Sequence, residues 1–287
     1  MPITSFSTRP VVDSSGCGPW VGRARTFDEC QELKFPPFED PFLIEPADDV
    51  LISGLNGVDG QPTEYRLGKE LWLPGHGFLY REALSCGRTK LNARMRAAVQ
   101  FIQEHLETSS TDSVYITESV TPLFEFFRGR YPLLQGSEFL PGISYGATNE
   151  GVRCEDLQAL TFKDQTFDLL LSFDVLEHVP EYKIAIYEMA RVLKPGGHLI
   201  MTTPTFVDAR ENAVRAIIDD EGKLQHLLPP EYHGNPLGPP SLCFTSFGFD
   251  LVEELRRYGF HDSYAQFYFN KELGYWGRPE MLLIATK

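Results

Sequence analysis

The run Phe-Asp-Leu-Leu-Leu-Ser-Phe at positions 167–173 constrains the fold more than any other part of the chain. It is almost continuously apolar, and a short run of that kind reads as a strand buried on both faces of a parallel sheet. An amphipathic helix is predicted from Glu181 to Leu193, stopped by Lys194, Pro195, Gly196 and Gly197. A basic last turn with Pro and Gly just beyond it is a helix-stop signal. His198–Thr203 then reads as a second buried strand. Strand, helix and strand in this order predict a βαβ unit, and with it an α/β fold with helices on both sheet faces.

The rest of the chain extends that pattern. Leu91, Met95, Ala98, Val99, Ile102 and Leu106 recur at helical spacing and predict a helix from Thr89 to Leu106. Val114–Thr117 reads as a strand, Pro122 as the first turn of a helix reaching Arg130, and Leu133–Phe139 as the next strand. A polar, Pro-rich insertion covers about 204–243, and a helix is expected from Ser246 to Tyr258. His261–Phe269 and Met281–Thr286 are then expected to pair as an antiparallel hairpin. Residues 1–88 hold many prolines and glycines between short apolar runs and read as an irregular, β-containing extension. Residues 89–287 are expected to form the main domain, with the insertion on its substrate side.

Charge narrows the partners. The chain has 26 Lys and Arg against 40 Asp and Glu, a formal charge of −14. Such a field repels phosphate backbones, so nucleic acid and anionic membranes are not expected as partners. The one clearly basic stretch, Arg81 to Arg96, reads as a solvated helix face. No apolar run of 18 residues appears, and MPITSFSTRPVVDSSG lacks the apolar core of a secretory signal. A cytoplasmic protein is expected, with its five scattered cysteines reduced and mostly buried.

The phrase FDLLLSFDVLEHVPEYKIAIYEMARVLKPGGHLIMTTP (167–204) closely resembles the fourth strand, following helix and fifth strand of class I S-adenosylmethionine-dependent methyltransferases of the type 11 kind. The resemblance implies a Rossmann-like, mostly parallel seven-stranded sheet ending in an antiparallel hairpin, with S-adenosylmethionine as cofactor. It places Phe173, Asp174 and Val175 beside the methionine part of the cofactor, with Glu177 and His178 on the turn that follows. Ligands of open α/β sheets bind at strand carboxyl ends where the strand order reverses, which fits this assignment. Upstream, the resemblance makes Glu138 the acceptor for the ribose hydroxyls and sets Phe139 against the adenine. A carboxylate suits a vicinal diol because it offers two acceptor oxygens. Asp156 would accept from the adenine amino group beside Leu157, or else cap its own turn.

One departure from the family stands out. A glycine-rich loop is usual after the first strand, and Glu118-Ser119-Val120-Thr121-Pro122 stands there instead. The acidic residue usual on the strand is Ile116. Two accounts follow. In one, Glu118 supplies the displaced carboxylate for the cofactor's ammonium, with Thr117 and Ser119 offering hydroxyls. In the other, the domain is a catalytically inactive methyltransferase-like binding or scaffolding protein. The TESVTPL and GSEFL phrases, with PPEYHGNPLG and FGFDLVEELRRYGF, are similar to a bacterial subfamily associated with glycan or secondary metabolism. That similarity favours the first account.

The expected activity is O- or N-methylation of a small molecule or sugar-type acceptor. Hydroxyl acceptors usually need a base. His233 is the first candidate and His178 the second, with Tyr232 and His226 on the substrate side. His226 and His233 match no compact metal-ligand spacing, so no metal is expected. The implied partners are a small-molecule acceptor without nucleic acid or membrane, with homodimer formation left open.

Overall fold

The computed structural model describes residues 10–235 and 237–287. Residues 1–9, the start of the stretch read above as no secretory signal, and Pro236 of the insertion lie outside them. Seven strands form the main sheet: β1 (Trp20–Ala24), β2 (Val114–Ile116), β3 (Gln135–Gly136), β4 (Phe167–Phe173), β5 (Leu193–Thr202), β6 (Asp262–Asn270) and β7 (Tyr275–Thr286). Their spatial order is β1-β6-β7-β5-β4-β2-β3. The pairs β3–β2, β2–β4 and β4–β5 are parallel. The pairs β5–β7, β7–β6 and β6–β1 are antiparallel. The expected Rossmann-like sheet with its C-terminal hairpin is present.

Five α-helices accompany it among the described residues: α1 (Phe27–Glu32), α2 (Ala93–His105), α3 (Pro122–Arg128), α4 (Tyr182–Val192) and α5 (Asp250–Arg257). Side chains alternate across a strand, so β4 feeds two cores. Leu169 and Leu171 pack with Val99 and Ile102 of α2 and Leu123 and Phe127 of α3. Leu170 packs on the other face with Ile186 and Met189 of α4 and Leu251 and Leu255 of α5. No described helix is long and apolar enough to cross a membrane.

The segment before residue 89 is built into the domain rather than appended to it. β1 extends the main sheet beyond the hairpin, with Ala24 opposite Ala265. Tyr65, Leu67, Phe78 and Ala83 share a core with Val114 and Ile116. The basic stretch is likewise no solvated face. Arg96 is fully buried, and its guanidinium donates to the carbonyls of Leu84, Leu273 and Gly274 and to the Tyr65 hydroxyl. Local charge density could not distinguish that role, because all of Arg96's partners are distant in sequence or carry no charge.

Two elements are shorter than their sequence patterns suggest. The predicted strand over Leu133–Phe139 reduces to β3, after which Glu138 makes a single parallel bridge to Cys154. The helix expected from Ser246 begins instead at Asp250, because Thr245–Gly248 is a strand pairing with Thr205–Phe206 and Ala213–Val214. The insertion's ends therefore compete successfully for backbone that helical periodicity had assigned to the helix.

From β2 the chain moves outward to β3 and then returns to β4 on the other side of β2. That reversal lies between β2 and β4, and their carboxyl ends define the place where an open α/β sheet binds ligands.

Candidate functional site

The turn after β2 packs without a glycine of its own. Thr117 Oγ1 donates to Ser172 Oγ on β4 at 3.1 Å. Thr121 caps α3 by accepting from Phe124 N at 3.2 Å, and its hydroxyl donates to Glu118 Oε1 at 2.5 Å. Glu138 Oε1 accepts from Ser119 N at 2.7 Å and from Ser119 Oγ at 3.3 Å. The close approach is made by Gly136 of β3, where a Cβ would run into the Phe124 ring and lie 2.8 Å from the Glu118 carbonyl oxygen. The absence of a side chain at Gly136 is what lets the turn and the Phe124 ring pack this tightly against β3. Thr121→Ala is expected to cost about 1 kcal/mol through loss of the cap, read as a shift in the urea midpoint.

Glu118 is 8% exposed. Burial pushes its carboxyl up to about 7, against the opposing pull of the Thr121 hydroxyl and of Arg94. Glu138 is also raised, again by burial, while its bonds to Ser119 work the other way.

At the end of β4 stands a compact ion cluster that local sequence did not reveal. Arg81 Nη1 and Nη2 each donate to an Asp174 carboxylate oxygen at 2.9 Å, a bidentate pair. Arg94 Nε lies 3.4 Å from the same carboxylate and 3.0 Å from Glu82, and Thr202 Oγ1 donates to Asp174 at 3.0 Å. Glu280 of β7 approaches Arg81 at 3.6 Å. Burial alone would raise the Asp174 carboxyl, but Arg81 and Arg94 hold it well below the usual carboxylate range. Asp174 sits at φ +53°, a left-handed conformation that Asp tolerates better than most residues. The Arg94 guanidinium lies over the Phe173 ring, 5.9 Å from its centroid. Its Nη1 is buried with no hydrogen-bond partner among the described residues.

On the far side of β3, Phe139 and Tyr145 flank a shallow pocket of about 240 Å³ lined by residues 139–145. Phe139 is 60% exposed, while Leu157 is buried. Asp156 Oδ1 accepts from Gln158 N at 2.8 Å and Oδ2 from Tyr145 Oη at 3.0 Å. Asp156 therefore caps its own turn in this structure, the simpler of the two roles open to it in the sequence.

The insertion closes over the β4 end from the other direction. Phe244 N donates to the Glu177 carbonyl at 2.7 Å, and the His178 Nδ1 faces the Leu242 carbonyl at 2.8 Å. These contacts bring His178 and His233 together with ring centroids 5.0 Å apart. His233 Nδ1 lies 3.6 Å from Glu177 Oε1, and its Nε2 lies 3.1 Å from Glu231 Oε1. Glu177 and Glu231 together push the His233 imidazole up to about 9, so it carries a proton at neutral pH in the metal-free chain. A proton-bearing His233 donates rather than accepts. His226 and Tyr232 do not join this cluster as contacts. His226 is exposed on the hairpin of Ala216–Ile218 and Leu224–His226, and Tyr232 is exposed opposite Leu242.

Val175 is half-buried between the Asp174 cluster and the Glu177 turn. Four residues that matter here, Arg81, Arg94, Glu231 and Glu177, were not among the sequence candidates. Glu177 could have been found from its place in DVLEHV. The arginines could not, because their partner is distant in the chain.

The methyltransferase domain family model matches residues 141–201. The chain is 38% identical over 55 residues to the ubiquinone biosynthesis O-methyltransferase of Coxiella burnetii, covering 19% of this chain and 24% of that protein. It is 32% identical over 108 residues to the demethylmenaquinone methyltransferase of Staphylococcus aureus, covering 36% and 42%. The chain thus spans about a quarter to two fifths of the length of these curated relatives. A solved S-adenosylmethionine-dependent methyltransferase from Mesorhizobium loti aligns with TM-score 0.38 and 15% identity, over 68% of this chain and 96% of that one.

Proposed function

We propose that this chain, whose residues 141–201 match the methyltransferase domain family model, uses S-adenosylmethionine to methylate a small-molecule or sugar-type acceptor at oxygen or nitrogen. One observation carries the reading. At the switch point, Arg94 presents a buried guanidinium N–H without a partner, and Glu118 presents a buried carboxyl with a raised pKa. One guanidinium N–H of Arg94 left free by its pairing with Glu82 and Asp174, near an acid that burial holds back from ionising, is the complement of an amino-acid zwitterion, the charged end of S-adenosylmethionine. The group fits this donor set.

In this reading Glu118 holds the ammonium and Arg94 the carboxylate. Thr117 and Ser119 supply hydroxyls, and Phe173, Asp174 and Val175 form the wall at the β4 end. Glu138 serves the ribose, and Phe139 with Leu157 flanks the adenine beside the pocket at 139–145; Asp156 would reach the adenine amino group through a lone pair left over from its bonds to Gln158 and Tyr145. When bound, the cofactor supplies an electrophilic methyl group on a sulfonium. The chain's own part is to orient the acceptor in line and to exclude water.

The acceptor side is the His178–His233 pair under the insertion. The Leu242 carbonyl can only accept, so His178 carries its proton on Nδ1 and turns the Nε2 lone pair inward. His178 is the base for a hydroxyl acceptor, and protonated His233 is a charged donor that orients it. Tyr232 and His226 belong to the outer surface of this lid. The relatives named for quinone methylation act on small molecules, which supports an acceptor of that size.

His178→Ala is expected to leave S-adenosylmethionine affinity unchanged and to lower turnover about a hundredfold. Loss of cofactor affinity would move His178 into the cofactor shell. The second reading, an inactive binding module, draws on Asp156 and Glu138, whose oxygens are engaged by Gln158, Tyr145 and Ser119. Cofactor titration separates the two.

A further inference from the structure

Glu177 is 1% exposed, and its Oε1 has no hydrogen-bond partner among the described residues. Its other oxygen is fixed by Thr203 Oγ1, which donates at 2.8 Å. The unpartnered oxygen points between two imidazoles, 3.8 Å from His178 Nε2 and 3.6 Å from His233 Nδ1. All three atoms lie within 4.8 Å of one another.

The outer nitrogen of each ring is already committed. His178 Nδ1 faces the Leu242 carbonyl at 2.8 Å, and His233 Nε2 faces the Glu231 carboxylate at 3.1 Å. Both acceptors require an N–H, so in the neutral rings both inner nitrogens are lone pairs aimed at Glu177 Oε1. In the metal-free chain a proton on His233 separates these groups; with both rings neutral, three acceptors converge on one buried point, and a cation between them takes that proton's place. Carbonyl and carboxylate partners on the outer ring nitrogens are the usual support of metal-bound histidines.

We infer that Glu177 Oε1, His178 Nε2 and His233 Nδ1 form a binding site for a divalent first-row transition ion such as Zn²⁺, Co²⁺ or Mn²⁺. Two imidazoles and one carboxylate suit such ions, and three protein ligands leave positions open. Ligand bonds of about 2.0–2.2 Å bring neighbouring ligand atoms to roughly 3.0–3.4 Å. The two distances to Glu177 lie a few tenths of an ångström above that range, and the two ring nitrogens, within 4.8 Å of each other, are brought together by rotation of two partly exposed imidazoles. A dication balances the carboxylates of Glu177 and Glu231, and it takes the place that a proton holds on His233 in the metal-free chain. The site shares His233 with the spacing that argued against a metal, but His226 lies on another hairpin and takes no part. It joins the turn after β4 to the far end of the insertion, which no local motif displays. If the methyl-transfer reading holds, His178 and His233 act in the ion-bound chain as ligands in place of base and charged donor, and the ion would hold an acceptor oxygen and lower its pKa.

The test uses the full chain stripped with a chelator and titrated with Co²⁺, followed by visible absorption, and with Zn²⁺, followed by calorimetry. The expected result is one equivalent bound, weakened on the order of a hundredfold or more in His178→Ala, His233→Ala and Glu177→Gln. Cys243→Ala should bind as the wild type does; weakening there would shift the ion to Glu231, His233 and Cys243 and overturn the assignment. Absence of stoichiometric binding by the stripped wild type overturns it without any variant. S-adenosylmethionine titrated into the metal-free protein reports separately on the methyl-transfer reading. Metal binding without cofactor binding, or the reverse, therefore shows which of the two has failed.

Discussion

Asp174→Asn is expected to destabilise the fold by about 3–5 kcal/mol, the cost of leaving buried charges without their partner. Arg81 reaches both oxygens of Asp174, and Arg94 and Thr202 close around the same group. The asparagine has nearly the same shape but only one acceptor oxygen and no charge, so two guanidinium groups lose their main counterion. Pairs at the protein surface are worth about 0–1 kcal/mol. The Asp174 side chain is 21% exposed, and that of Arg94 is 9% exposed, which puts this cluster in the other class. Urea unfolding should show a lower midpoint with an unchanged slope. A loss below about 1 kcal/mol would mean that the cluster behaves as a solvated surface pair. The pH dependence has a definite sign. The Asp174 carboxyl is depressed in the folded chain, so its contribution is present above the unfolded value near 3.8 and fades as pH falls through the folded one.

Glu118→Gln is expected to weaken S-adenosylmethionine binding by about 2–5 kcal/mol, roughly thirtyfold to several-thousandfold. Glutamine preserves the acceptor for Thr121 and removes only the charge that the ammonium would meet. The same group predicts two opposite pH trends. Its folded pKa of about 7 lies above the ordinary 4.5, so the folded chain holds the extra proton between those values. The contribution of Glu118 to stability is therefore fully present below about 4.5 and is lost as pH rises through about 7. Cofactor affinity should move the other way, rising as Glu118 ionises across pH 7. Both trends should flatten in Glu118→Gln. A cofactor affinity equal to that of the wild type would remove Glu118 from the ammonium site.

The parts legible in the sequence were those with local causes. The apolar run at 167–173, the LKPGG stop and the two final strands each announce themselves within a dozen residues. Glu118 and Glu138 were also placed at strand ends, by the resemblance of the flanking phrases to the methyltransferase pattern. What stayed hidden depended on partners far along the chain. Arg96 looked like a solvated cation and is instead fully buried among carbonyls from the β6–β7 turn. Arg81 reads as surface charge until Asp174 is placed beside it. β1 lay inside a segment of prolines and glycines, and only its pairing with Phe267 and Ala265 makes it part of the sheet. His233 was legible as a residue of interest, but its charge state was not, because that depends on two carboxylates from different segments. Gly136 lets the turn after β2 pack closely from the adjacent strand, where a reading of the turn alone has no cause to look.

The central claim is that the switch point between β2 and β4 still binds S-adenosylmethionine without the glycine-rich loop. Calorimetric titration of the full chain with S-adenosylmethionine and S-adenosylhomocysteine tests it most directly, with measurements above and below pH 7. The account predicts a single site for each ligand, tighter at the higher pH for both, and weakened by Glu118→Gln. No heat and no thermal shift at millimolar ligand would contradict it and leave the binding-module reading in its place.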